Sequence, residues 1–92
     1  MLFFYKSYFL AQNYPNPFNP RTTIQYELSV AGEVHLSIYN LRGQKVMTLL
    51  SEKQRAGIHQ VEWDASGFAS GIYYYRIETA DFVEAKKMIF VR

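Results

Sequence analysis

The chain has 92 residues, of which 49% are hydrophobic and 17% aromatic, with no cysteine and a formal net charge of +2. This length allows a single domain, and so many aromatic rings exclude an intrinsically disordered chain. A disulfide-knotted fold and a cysteine-based zinc site are excluded as well, so packing of large side chains has to stabilise the core.

Residues 1–12 are predicted to form an apolar N-terminal extension or strand. The segment has neither the continuous apolar run nor the small-residue cleavage site of a signal peptide. An unpaired apolar strand is unfavourable in water. The segment therefore pairs within its own domain, pairs with another chain, or is the cut end of a larger protein. Self-association would use Phe3, Phe4, Tyr5, Tyr8 and Phe9.

Residues 13–21 form a Pro- and Asn-rich lead-in that contains every proline of the chain. Each proline fixes its own φ angle and favours extended geometry in the residue before it. The segment is therefore predicted to be stiff and non-helical. Phe18 is expected to fasten it to the following domain.

Residues 22–92 alternate apolar and polar side chains with a period of two, which indicates β-strands. Strands are predicted at 22–28, 34–39, 45–50, 59–64, 72–79 and 82–91, with a turn at 40–43 and a loop at 51–57. The rings of Trp63, Tyr73 and Tyr75 are expected in the core, and Gly71 in a turn. The predicted fold is all-β, an immunoglobulin-like β-sandwich of roughly seven antiparallel strands. An OB-type barrel is the alternative.

The residues suggest no catalytic chemistry. His35 and His59 lie in different predicted strands, and Glu62 and Asp64 share a face that is expected to be solvated. No cofactor, metal or small-molecule substrate is expected, and without a concentrated basic patch nucleic acid is not a predicted partner. Tyr74 beside Arg76 leaves a carbohydrate-binding module as an alternative function.

Five segments carry a family resemblance. They are the Asn-Tyr-Pro-Asn-Pro-Phe opening of residues 13–24, the Asn-Leu-Arg-Gly turn of 39–46, the Trp-Asp ending of 56–64, the Ser-Gly-Ile-Tyr of 69–77 and the Lys-Lys-Met-Ile-Phe-Val-Arg of 86–92. In this order they resemble the type A C-terminal sorting domain of the type IX secretion system. The fold is also similar to the immunoglobulin-like domain of flagellar hook-capping proteins.

The resemblance implies a non-catalytic sorting signal that carries cargo through the periplasm to the outer-membrane translocon. It implies the type IX translocon and a sorting peptidase as partners, and the cell surface or extracellular space as the destination. The last strand would offer backbone groups and a basic pair to a receptor, as in edge recognition. The implied recognition residues are Pro15, Asn16, Pro17, Phe18, Gly71, Tyr73, Tyr75, Lys86, Lys87, Met88, Ile89, Phe90 and Val91.

A sorting signal requires cargo, yet only about a dozen residues precede the opening motif. The favoured explanation is that the chain is a fragment of a larger protein. A misassigned start is the second explanation. The third is a free-standing structural module that forms a homo-oligomer or filament through its N-terminal strand.

Overall fold

The structure, a computed structural model, describes residues 8–92 and contains seven β-strands there. They are β1 (Tyr8–Leu10), β2 (Arg21–Leu28), β3 (Gly32–Asn40), β4 (Lys45–Gln54), β5 (Gly57–Asp64), β6 (Gly71–Glu78) and β7 (Val83–Phe90). Within these residues no helix is long and apolar enough to cross a membrane.

The strands form two antiparallel sheets with the orders β1-β2-β5 and β4-β3-β6-β7. In an immunoglobulin constant domain, the fourth strand lies in the sheet of the first, second and fifth strands. Here β4 pairs with β3 in the other sheet, whereas the other six strands are divided between the sheets as in that domain. The prediction of an all-β, immunoglobulin-like sandwich of roughly seven antiparallel strands is therefore confirmed.

The core lies between the sheets and follows the period of two. In β2, Ile24, Tyr26 and Leu28 are buried, and the polar residues between them face away from the core. Trp63 is 1% exposed and lies in the same core as Tyr75. Each large apolar side chain buried in this way contributes about 1.5–3 kcal/mol to folding.

The predicted loop at 51–57 is wrong over its first half, because β4 continues to Gln54 and stays paired with β3 as far as Gly32. β4 is an edge strand, and Ser51, Glu52 and Lys53 are exposed on it. Charged and polar residues are common on edge strands because they discourage pairing with other chains. The same residues resemble a loop in sequence.

The N-terminal segment pairs within its own domain at residues 8–10, where β1 lies antiparallel to β2. Leu10 is buried, and the Tyr8 ring stacks on Phe82 at 4.9 Å between centroids. Phe3, Phe4 and Tyr5 lie outside the described residues. The predicted division of the chain after residues 12 and 21 stays a prediction.

Candidate recognition surface

The lead-in runs beside the end of β7 and pairs with it. The Phe18 N–H donates to the Ile89 carbonyl, and the Val91 N–H donates to the Phe18 carbonyl, each at 3.0 Å. Phe18 and Phe90 form a parallel bridge. The Ile89 N–H donates to Asn16 Oδ1 at 2.9 Å. The lead-in therefore covers the free edge of the four-stranded sheet along the last part of β7.

Phe18 fastens the lead-in to the core, as predicted. Its side chain is 2% exposed. Its ring packs against Phe90 and Trp63, with centroids 5.3 and 5.7 Å away. Pro15 and Pro17, on either side of Asn16, stay exposed, so the stiff part of the lead-in lies on the surface and the phenyl ring lies inside.

Asn13 holds the start of the lead-in. It is buried, its N–H donates to Tyr75 Oη at 2.8 Å, and its side-chain amide donates to Thr22 Oγ1 at 2.9 Å. Thr22 Oγ1 in turn donates to the Pro15 carbonyl at 2.8 Å. Sequence reasoning did not single out Asn13. The signal that could have found it is an Asn directly before a proline-rich segment, a typical start of a side-chain-stabilised turn.

The candidate residues of the last two strands are direct neighbours. In the β6–β7 register Gly71 is opposite Phe90, and Tyr73 is opposite Met88. The lead-in lies along the other side of β7. The structure thus brings together the three separate segments that carry the candidate recognition residues. We call the surface formed by residues 15–18, Gly71 and residues 86–91 the recognition surface.

Less than half of the candidate recognition residues named in the sequence analysis are exposed to solvent. The exposed residues are Pro15, Asn16, Pro17, Gly71, Lys87 and Val91. Lys86 and Ile89 are half-buried. The buried ones are Phe18, Tyr73, Tyr75, Met88 and Phe90. A receptor can reach the exposed residues, whereas the buried residues pack in the core beneath them.

The basic pair is divided between two faces of β7, because successive side chains of a strand point in opposite directions. Lys86 lies opposite Tyr75 on the core side, with its side chain 31% exposed and its Nζ 3.6 Å from Glu84. Lys87 lies on the outer face opposite Tyr74. Only Lys87 is therefore fully available to a partner.

The expectation that the whole last strand offers free backbone groups is wrong for its final part. The Ile89 N–H and carbonyl and the Val91 N–H all bond to the lead-in. The Lys87 carbonyl accepts a hydrogen bond from Gln12 Nε2 at 2.8 Å. A receptor strand could pair with this part of β7 only if the lead-in moved away.

Tyr73 and Gly71 serve the turn into β6. The Tyr73 hydroxyl donates to the Ala69 carbonyl at 2.6 Å, which is the tyrosine corner of immunoglobulin-like sandwiches. Gly71 has a φ of 150°, a positive backbone angle that residues with a Cβ atom strongly disfavour. The expected position of Tyr73 in the core is confirmed. Gly71, expected in a turn, is instead the first residue of β6 and pairs with Phe90.

His35 and Asp64, which lie outside the recognition surface, are both exposed to solvent. His35 is exposed on the outer face, where its Nδ1 lies 2.9 Å from the Ser51 hydroxyl. Hydrogen bonds from the Ser66 hydroxyl and N–H, with Arg21 alongside, lower the pKa of Asp64 below its ordinary value. Between residues 8 and 92 no three His, Asp or Glu side chains are grouped so that they could hold a metal ion.

The described residues form a small β-sandwich in which the lead-in and the last strand share one surface. A model of the secretion system C-terminal sorting domain family matches residues 12–91, and the chain belongs to this family. No curated protein matches the chain. The family is a type IX sorting signal and not a catalytic one. Membership implies interaction with the type IX secretion machinery and export to the cell surface or extracellular space.

Proposed function

We propose that the domain directs its cargo through the type IX outer-membrane translocon, and that the translocon binds the recognition surface. The observation that carries this proposal is the backbone pairing of Phe18 with Ile89 and Val91. It joins the first and the last family motif into one continuous surface, although they lie at opposite ends of the matched segment. A sorting peptidase then acts on the exported protein at the cell surface.

The residues of the surface have two roles in this proposal. The exposed residues Pro17, Lys87 and Val91 contact the translocon. Phe18 and Phe90, stacked on each other below them, keep the lead-in against β7. The translocon thus recognises a shape that exists only when the sandwich is folded, and it does not bind an extended peptide.

The test is a fusion of residues 1–92 to the C-terminus of a periplasmic reporter in a type IX host, with reporter measured in the medium and on the cell surface. Deleting residues 86–92 would remove the buried Met88 and Phe90 and unfold the domain, so it does not test recognition. We instead use the double variant Lys87→Glu/Val91→Asp. It is expected to lower export at least tenfold while circular dichroism stays unchanged.

A matched control is Lys53→Glu, which reverses an exposed charge on β4 at the opposite edge of the same sheet. Its export is expected to equal that of the unchanged domain. Reporter that stays in the periplasm with the unchanged domain would contradict the sorting function. Equal export by the double variant and the control would instead contradict the recognition surface alone.

Self-association through residues 1–12 stays a prediction and is not proposed as a second function. Within the described part, β1 already pairs with β2, and the Tyr8 ring already stacks on Phe82. Phe9 is the residue of β1 that remains exposed.

A further inference from the structure

The outer face of the β1-β2-β5 sheet carries two strongly exposed rings. Phe9 is 58% exposed and Tyr14 is 81% exposed. Phe9 lies opposite Glu27, and Tyr14 is bridged to Thr23. Thr23 and Glu27 are four positions apart on β2, so the rows that hold the rings are about 13 Å apart.

Two side-chain amides lie in the row midway between the rows that hold the rings. Gln25 and Gln60 are opposite each other on β2 and β5, and Gln60 Nε2 donates to Gln25 Oε1 at 2.9 Å. This bond orients both amides and leaves a donor hydrogen on Gln60 and the NH₂ group of Gln25 free for other partners. Both residues line a shallow depression that also includes Tyr14 and Thr23.

The charges on this face are carboxylates. Glu27 and Glu62 are exposed on the same face, in the rows on either side of the two amides. Among the described residues of β1, β2 and β5, the one cation on this face is Arg21, whose Nε lies 3.2 Å from Asp64 and 4.0 Å from Glu62. This described part of the face therefore offers amides and carboxylate acceptors without an unpaired cation, which disfavours anionic ligands such as nucleic acids and acidic polysaccharides.

We propose that this face binds a neutral oligosaccharide. A sugar ring has an apolar face of C–H groups, which would lie on the ring of Tyr14, with a further sugar toward Phe9. Its hydroxyl groups would bond to the amides of Gln25 and Gln60 and donate to Glu62. This site is separate from the Tyr74–Arg76 pair, which lies in the other sheet, and it goes beyond the sorting function.

The test is affinity electrophoresis of the 92-residue chain in gels that contain a soluble neutral polysaccharide, with separate gels for β-glucan, xylan and galactomannan. Alginate serves as the acidic comparison. At least one neutral polymer is expected to retard the chain. Tyr14→Ala, a change at a fully accessible side chain, is expected to weaken this binding roughly tenfold, equivalent to about 1.4 kcal/mol. Tyr74→Ala is the matched control and should bind like the unchanged chain.

Three results would overturn the proposal. The first is that none of the neutral polymers retards the chain, or that only alginate does. The second is binding that Tyr74→Ala weakens and Tyr14→Ala leaves intact. The third is a concentration-dependent dimer in sedimentation that Tyr14→Ala abolishes without any glycan retardation, which would assign the face to a second copy of the chain.

Discussion

The hydroxyl group of Tyr75 links parts of the fold that are far apart in the chain. It accepts a hydrogen bond from the Asn13 N–H and donates one to the Ala11 carbonyl at 2.6 Å. Tyr75 belongs to β6, whereas Ala11 follows β1 and Asn13 begins the lead-in. One buried oxygen therefore holds the N-terminal segment against the opposite sheet.

Replacing Tyr75 with Phe should lower the free energy of unfolding by about 1–3 kcal/mol, because two buried backbone groups lose their partner. Urea unfolding followed by Trp63 fluorescence measures this change. Tyr74→Phe removes the same hydroxyl from a half-buried side chain on the outer face and is expected to change stability little. Equal effects of the two variants would mean that the Tyr75 bonds do not stabilise the fold.

At the scale of elements, the lead-in behaves as an additional short strand on the edge of β7. Asn16 and Phe18 attach it in different ways. Asn16 bonds to the exposed end of β7 through its side chain, whereas Phe18 is inserted among the core rings. Loss of the Asn16 side chain leaves an N–H that water can reach, so Phe18 contributes more to the attachment.

Phe18→Ala is expected to lower the free energy of unfolding by about 3–5 kcal/mol, the usual cost of removing a buried phenyl ring. It should also detach the lead-in, so that the amide hydrogens of Ile89 and Val91 exchange faster in NMR. Asn16→Ala is the comparison and should accelerate exchange at Ile89 alone. Protection at Val91 that survives in Phe18→Ala would show that another contact holds the lead-in.

The strands could be predicted from sequence where one face is buried and the other is in water. β2 and β6 have this pattern, which is why the inward positions of Tyr26 and Tyr75 were predictable. The end of β4 could not be predicted, because a strand exposed at a sheet edge needs no alternation. Ser51 to Gln54 follow strand geometry because they pair with β3 and not because of their own composition.

Motifs nominate residues for the recognition surface, but they do not predict that these residues lie close together. The pairing of Phe18 with β7 depends on which edge of the sandwich the lead-in reaches, and no local pattern specifies that. The separation of Lys86 and Lys87 onto two faces follows from strand alternation alone. The structure was still needed to determine which of the two lysines points inward.

At the scale of the whole molecule, five rings gather at the end of the sandwich where β7 finishes. Trp63 is at the centre, with Phe68 and Tyr73 edge-on at 5.4 Å and Phe18 at 5.7 Å. Phe90 stacks on Phe18. The recognition surface lies over this cluster, so the same rings that stabilise the sandwich also support the surface.

The stability of the whole sandwich should fall as the pH rises above about 10. Burial raises the pKa of both Tyr26 and Tyr75 to about 12, whereas tyrosines of the unfolded chain titrate near 10. Between about pH 10 and 12, only the unfolded chain releases these protons, which favours unfolding. Urea unfolding at a series of alkaline pH values measures the decline.

In the Tyr75→Phe variant the free energy of unfolding should fall less steeply with pH than in the unchanged chain, because one of the two tyrosines with a raised pKa is gone. Tyr74→Phe is again the control and should keep the full slope. Identical slopes in all three proteins would mean that the buried hydroxyls do not govern the alkaline behaviour.

The pairing of the lead-in with β7 also sets an order of events in time. Asn16 and Ile89 are 73 positions apart in the chain, and contacts of this range form only after the whole intervening segment is available. During synthesis the lead-in emerges before β7, and the Asn16 side chain and the Phe18 backbone lack their partners until β7 follows. A nascent chain that stops before residue 83 would contain most of the strands but not the recognition surface, so the surface can form only after β7 has been synthesised.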